Sequence, residues 1–129
     1  MMRKMTLALG LAYVALLACD DSTTPEDLPE CTSQVTVSVS SGTAPRFSWT
    51  PVCRVGFVIV EENGSDVWLV ISPESNEIAP PVTYGVVPPG ATELEPPAAL
   101  VAGTTYDVGL RRFIGDDYVE LVGYQEFTP

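Results

Sequence analysis

Val55-Gly56-Phe57-Val58-Ile59-Val60 and Val67-Trp68-Leu69-Val70-Ile71 are two apolar runs on either side of Asn63-Gly64. Their β-branched residues have stiff side chains that fit a pleated strand better than a helix. Asn-Gly is the preferred pair for a two-residue hairpin turn, because both central residues need φ > 0. The stretch therefore predicts a β-hairpin, with strands over Arg54–Glu62 and Asp66–Ser72. Asn63-Gly64-Ser65 also matches the acceptor pattern for N-glycosylation, but turn chemistry explains it without a modification.

The same two-residue rhythm extends outward from the hairpin. Upstream, Val35, Val37 and Val39 alternate with Thr36, Ser38 and Ser40, as in a half-buried strand. Ser41-Gly42 turns the chain, Arg46–Thr50 puts Phe47 and Trp49 on one face, and Pro51 ends that strand. Downstream, residues 78–97 carry Pro80-Pro81, Pro88-Pro89 and Pro96-Pro97. Proline cannot donate to a ladder, so this region predicts edges and loops with one short strand at Val82–Tyr84. A proline-rich ligand for a partner is the alternative, but the pairs lack P-x-x-P spacing. Thr104–Ile114 alternates again, with Tyr106, Val108 and Leu110 on one face. Gly115-Asp116-Asp117 turns the chain and Tyr118–Phe127 returns. The alternation slips near Gly123, which predicts a bulge. No repeat and no long amphipathic helix interrupts the pattern, so the fold class is all-β.

Strands with turns every eight to twelve residues suggest an immunoglobulin-like sandwich. Leu100-x-x-Gly103-Thr104-x-Tyr106-x-Val108 resembles the approach to the sixth strand of fibronectin type III domains, where a tyrosine forms the tyrosine corner. Phe47-Ser48-Trp49-Thr50-Pro51 resembles the second-strand tryptophan of that family. The resemblance implies a fibronectin type III-like β-sandwich of about seven antiparallel strands over residues 31–129, with Trp49 and Tyr106 in its core. Ala102 stands where a proline is common in the family.

The first eighteen residues have a different composition. Arg3 and Lys4 precede an apolar run from Met5 to Leu17, shorter than the roughly 20 residues that span a bilayer. A basic start, a short apolar core and a small residue before a cut mark an export signal. Leu16-Leu17-Ala18-Cys19 resembles the lipobox of bacterial lipoproteins, with Leu17 bulkier than usual at its position. That resemblance implies cleavage after Ala18, a lipid on Cys19, and a protein anchored in the cell envelope on the periplasmic or surface face. Asp20 sorts lipoproteins to the inner membrane in some enteric bacteria, a rule that does not carry across groups, so the membrane is left open. Residues 19–30 are acidic, polar and broken by proline, and predict a flexible tether reaching about 35 Å. With Cys19 occupied by lipid, Cys31 and Cys53 remain as an even pair in an oxidising compartment, and a disulfide between them is expected. A redox-active pair would more often show C-x-x-C spacing. Fibronectin type III domains usually lack a disulfide, so this bond departs from the family.

Composition excludes several chemistries. Removing residues 1–18 takes away Arg3 and Lys4 and no acid, so the formal charge falls from −11 to −13. Such a surface repels phosphate, which argues against nucleic-acid binding. Histidine is absent and lysine is lost with the signal segment, which removes histidine acid–base chemistry, histidine metal ligation and lysine Schiff bases. No cofactor or metal is expected.

Three functions follow in descending order. The first is a non-catalytic binding or structural module, with an envelope protein or glycan as partner and the 73–98 region and the Gly115–Asp117 turn as contact surface. The second is a cation or small-ligand site built on Asp116, Asp117 and Glu120, or on Glu61, Glu62 and Asp66 around the Asn-Gly turn. The third, a hydrolase using two carboxylates, lacks an evident pair and room for a closed cleft; no catalytic residue is assigned. Trp68 and Tyr84 are candidates for sugar stacking, although aromatic residues in strands are more often core. Of Arg111 and Arg112, alternation sends one outward and the other to a rim, where nearby acids can pair with it.

Overall fold

The computed structural model describes residues 28–129; the expected signal segment, Cys19 and the tether as far as residue 27 lie outside them. Eight strands form in order: β1 (Thr36–Val39), β2 (Arg46–Thr50), β3 (Phe57–Glu62), β4 (Ser65–Ile71), β5 (Val82–Thr83), β6 (Thr92–Glu95), β7 (Tyr106–Ile114) and β8 (Tyr118–Phe127). They make two antiparallel sheets, β1-β2-β5 and β6-β4-β3-β7-β8. No helix occurs among the described residues. The all-β sandwich expected from the two-residue rhythm is the observed architecture.

β3 and β4 form the hairpin that decides the fold. Asn63 and Gly64 take φ of 49° and 80°, and Glu62 pairs with Ser65 across the turn. Val67 is then bulged: Glu61 faces Asp66, while Val60 faces Trp68. That extra residue puts Trp68 on the inner face beside Val60. Without it, Val60 would face Val67 and Trp68 would turn to the outside. β3 lies between β4 and β7, so both of its edges are paired, and neighbouring side chains bury Ile59 and half-bury Phe57 on its outer side. This explains its nearly continuous apolar run.

The inner faces of the two sheets share one core. Val37, Phe47 and Trp49 of the smaller sheet meet Val58, Val60, Trp68, Val70, Val108 and Leu110 of the larger. Their polar atoms are satisfied inside it. Trp49 Nε1 donates to Cys53 O at 2.8 Å, Trp68 Nε1 donates to Glu93 at 3.0 Å, and the Tyr106 hydroxyl accepts from Val101 N–H at 2.9 Å. Trp68 and Tyr84 meet edge to face at 5.2 Å, and the Tyr84 hydroxyl donates to Ala98 O at 2.6 Å. Burial pushes that phenol up to about 12. Each buried Val, Leu, Ile or Phe side chain contributes roughly 1.5–3 kcal/mol. The core together therefore outweighs one disulfide, worth roughly 3 kcal/mol.

Cys31 and Cys53 are bonded, with Cα atoms 4.9 Å apart. The bond ties the chain's entry to the β2–β3 connection. Hydrogen bonding to the sandwich starts before Cys31: Arg54 N–H donates to Pro29 O and Arg54 Nε to Leu28 O, each at 2.8 Å. Leu28–Glu30, the end of the segment read as tether, are therefore held against the domain.

Two details differ from or refine the expected strands. β6 is an additional strand inside the proline-flanked region. It pairs with the edge of β4, with Leu94 bulged and exposed. Its Leu94 points outward while Glu93 turns in to meet Trp68, the reverse of an ordinary half-buried pattern. The slip near Gly123 is a bulge at Val122, which leaves Leu110 facing Gly123 and Arg111 facing Leu121.

Candidate functional site

Pairing across β4, β3, β7 and β8 decides which residues share the outer face of the larger sheet. One row is acidic from strand to strand: Asp66 faces Glu61, Glu61 faces Asp107, and Asp107 faces Glu126. The next row is Leu69, Ile59, Gly109 and Tyr124, and the one after it is Ile71, Phe57, Arg111 and Leu121. Phe113 extends the apolar part, its ring centroid 4.8 Å from that of Phe57. Phe57, Leu69, Ile71 and Phe113 are half-buried, while Leu121 and Tyr124 are exposed at 44% and 52%. A continuous apolar surface thus lies open to solvent, with a carboxylate border along one end.

Gly109 makes a shallow depression of about 140 Å³ in the middle of this face. Ile59 lies beside it, with Tyr124 and Leu121 on one side, Arg111 along it, and Glu61 and Asp107 at the acidic end. Small-ligand pockets usually measure roughly 300–1,000 Å³. This one has room for a single side chain, not for a cofactor. The carboxylates are crowded: loss of solvation, then a hydrogen bond with Asp66 and the negative charges of Asp66 and Asp107, raise Glu61 above its ordinary value, against a lowering by Arg111. The Tyr124 hydroxyl donates to Asp107 at 2.7 Å, which chiefly pushes Tyr124 up to about 12.

The residues singled out from the sequence separate into distinct places. Glu61 and Asp66 do come together, joined by Asp107 and Glu126 from distant strands. Glu120 is instead held by Arg112 at 2.7 Å, and Arg112 also donates to Cys31 O at 3.1 Å. Asp116 and Asp117 are exposed in the β7–β8 turn. Among the described residues no group of three potential metal ligands converges. Trp68 and Tyr84 are core residues, with their rings buried against each other. Arg111 faces outward on the candidate surface. Within the 73–98 region Ile78, Val82 and Tyr84 are buried, while most of its residues are exposed. Asn76 is buried there too.

A second opening, about 500 Å³, lies between Val37–Ser41 of the β1 edge and Gln125–Thr128 of β8. It begins where β1 diverges from β8, past the hydrogen bond from Val35 N–H to Val122 O. Its wall is largely serine, threonine and glutamine and contains no charge-bearing cluster. The outer face has the larger apolar content and the sharper charge pattern. Neither the family models nor the curated proteins nor the solved structures give a significant match to the chain.

Proposed function

We propose that this chain is a lipid-anchored bacterial envelope protein whose fibronectin type III-like sandwich is a non-catalytic binding module. Its contact surface in this reading is the outer face of β4, β3, β7 and β8. The observation that carries the reading is the apolar face itself: half-buried Phe57, Leu69 and Phe113 join exposed Leu121 and Tyr124 in one patch, with the buried Ile59 at its floor. Contiguous apolar patches with a polar border commonly mark partner surfaces. Two local geometries favour the fibronectin type III-like assignment. The Tyr106–Val101 hydrogen bond has the form of a tyrosine corner, and Trp49 is packed on the second strand. The disulfide and β6 are additions to that plan.

The anchor sets how the face is presented. From Cys19 to Leu28 an extended chain reaches about 30 Å. Leu28–Cys31 lie by Arg54 and Arg112, at the end of the sandwich that carries the β2–β3 and β7–β8 connections. That end faces the bilayer, and the outer sheet face stands sideways where a neighbouring envelope protein or glycan can reach it.

Fractionation of cells expressing the chain and a Cys19→Ser variant tests the anchor. The parent partitions with membranes and has the mass of a chain starting at acylated Cys19; the variant is released or accumulates as precursor off the membrane. A variant that stays membrane-bound without lipid would assign the anchor to the Met5–Leu17 segment instead.

A further inference from the structure

We infer that the depression over Gly109 receives a lysine or arginine side chain of a protein partner, its stem against Ile59, Leu121 and Tyr124 and its charged head between Glu61 and Asp107. The inference rests on the outer face being the contact surface. It adds the chemistry of what docks there.

Gly109 provides the first argument. Glycine inside a strand weakens it and often marks a place where a ligand or another chain comes close. Three glycines of the larger sheet and its flank can be compared. A Cβ on Gly56 would come within 2.7 Å of Asn76 and the Phe113 ring, and one on Gly123 within 2.8 Å of Val37. Packing requires glycine at both. A Cβ on Gly109 would meet only Leu121 Cδ1 at 3.6 Å, an ordinary contact. Gly109 pairs regularly with Ile59 and Tyr124, and the register shifts only after its neighbour Leu110. The fold does not need glycine here, and what glycine leaves is the depression.

Charge provides the second. The acidic row crosses four strands, and like charges placed directly opposite each other in a sheet are destabilising. Among the described residues Arg111 is the single cation within the face. Glu61 is raised first by loss of solvation and then by its contacts with Asp66 and Asp107, and an incoming cation would relieve the charge part of that raise. A long basic side chain fits both parts of the site, because its methylene stem covers apolar surface while its head stays near carboxylates. A second copy of this chain matches the surface poorly. It presents the same acidic row, has no lysine after Lys4, and holds two of its four later arginines, Arg54 and Arg112, in contacts of its own.

The test uses the full chain, isotopically labelled, in zwitterionic detergent. The probes are short blocked peptides alternating lysine with valine, serine with valine, or glutamate with valine. The lysine peptide should shift the amide signals of Ile59, Gly109 and Tyr124 and bind about tenfold more tightly than the serine peptide, as expected for contacts to two half-buried carboxylates. Gly109→Ala fills the depression without a clash, so it should weaken the lysine peptide about tenfold while the melting temperature holds or rises. If lysine and serine peptides bind the face equally, the basic-partner inference fails and the contact surface stands. If no peptide shifts the face, both fail. Lysine-peptide binding spread over all acidic residues and indifferent to Gly109→Ala overturns the inference as unspecific charge attraction. Sedimentation showing a dimer closed through this face overturns it in favour of a second copy.

Discussion

The side-chain amide of Asn76 pairs with the backbone of Phe113 as a neighbouring strand residue would. Asn76 Oδ1 accepts from Phe113 N–H at 2.8 Å, and Asn76 Nδ2 donates to Phe113 O at 3.1 Å and to Glu30 Oε1 at 3.2 Å. One side chain thus joins the β4–β5 connection, the end of β7 and the chain's entry. It also explains Gly56, whose missing Cβ leaves room for Asn76 and the Phe113 ring. Asn76→Ala should cost about 2–4 kcal/mol, because it strands a backbone donor and acceptor. Urea unfolding checks it; a loss under about 0.5 kcal/mol would mean that solvent satisfies Phe113 equally well.

Ser72 is the converse case. Among the described residues its hydroxyl is the buried side-chain oxygen that has no hydrogen-bond partner. Ser72→Ala removes an uncompensated polar group, so stability should stay level or rise by up to about 1 kcal/mol. A clear loss in the same unfolding assay would show that the hydroxyl is hydrogen bonded in solution.

The disulfide closes a sequence separation of 22. Replacing both Cys31 and Cys53 by Ala should lower stability by roughly 3 kcal/mol, mostly by enlarging the unfolded ensemble. The core is otherwise intact, so the variant should still fold at low temperature. A midpoint unchanged from that of the parent would contradict this.

Glu61 sets a pH dependence whose sign follows from its raised value. The native state holds the proton more tightly than the unfolded chain, so Glu61 costs nothing below the ordinary carboxylate value of 4.5. Its penalty then grows as pH rises through the raised value. The groups facing it are Asp66 on β4, Asp107 and Arg111 on β7, and Tyr124 and Glu126 on β8. Glu61→Gln should therefore raise the melting temperature at pH 7 more than at pH 4. An equal or opposite change at the two pH values would show that the acidic row does not crowd this carboxyl.

Much of the fold was legible because alternation and turn chemistry are local. Asn63-Gly64 alone fixes Glu62 against Ser65 and Glu61 against Asp66. β6 was not legible: its apolar Leu94 is bulged outward, its inward residue is Glu93, and prolines flank it. The candidate site was legible only in part, for a topological reason. Asp107, Gly109 and Tyr124 look like ordinary members of two strands until the pairing of β3 with β7, and of β7 with β8, brings them beside Glu61 and Ile59. Even the alternation that marked Asp107 and Gly109 as outward-facing does not say which residues from other strands share their rows.

Docking of a partner on the outer face of the larger sheet is tested most directly by photo-crosslinking in the producing cells. A photoreactive residue replaces Leu121 or Leu69 on that face, or Ser48 on the outer face of the smaller sheet. Discrete higher-mass adducts are expected from positions 121 and 69, and none from 48. Adducts from position 48 alone, or none from any of the three, would contradict it.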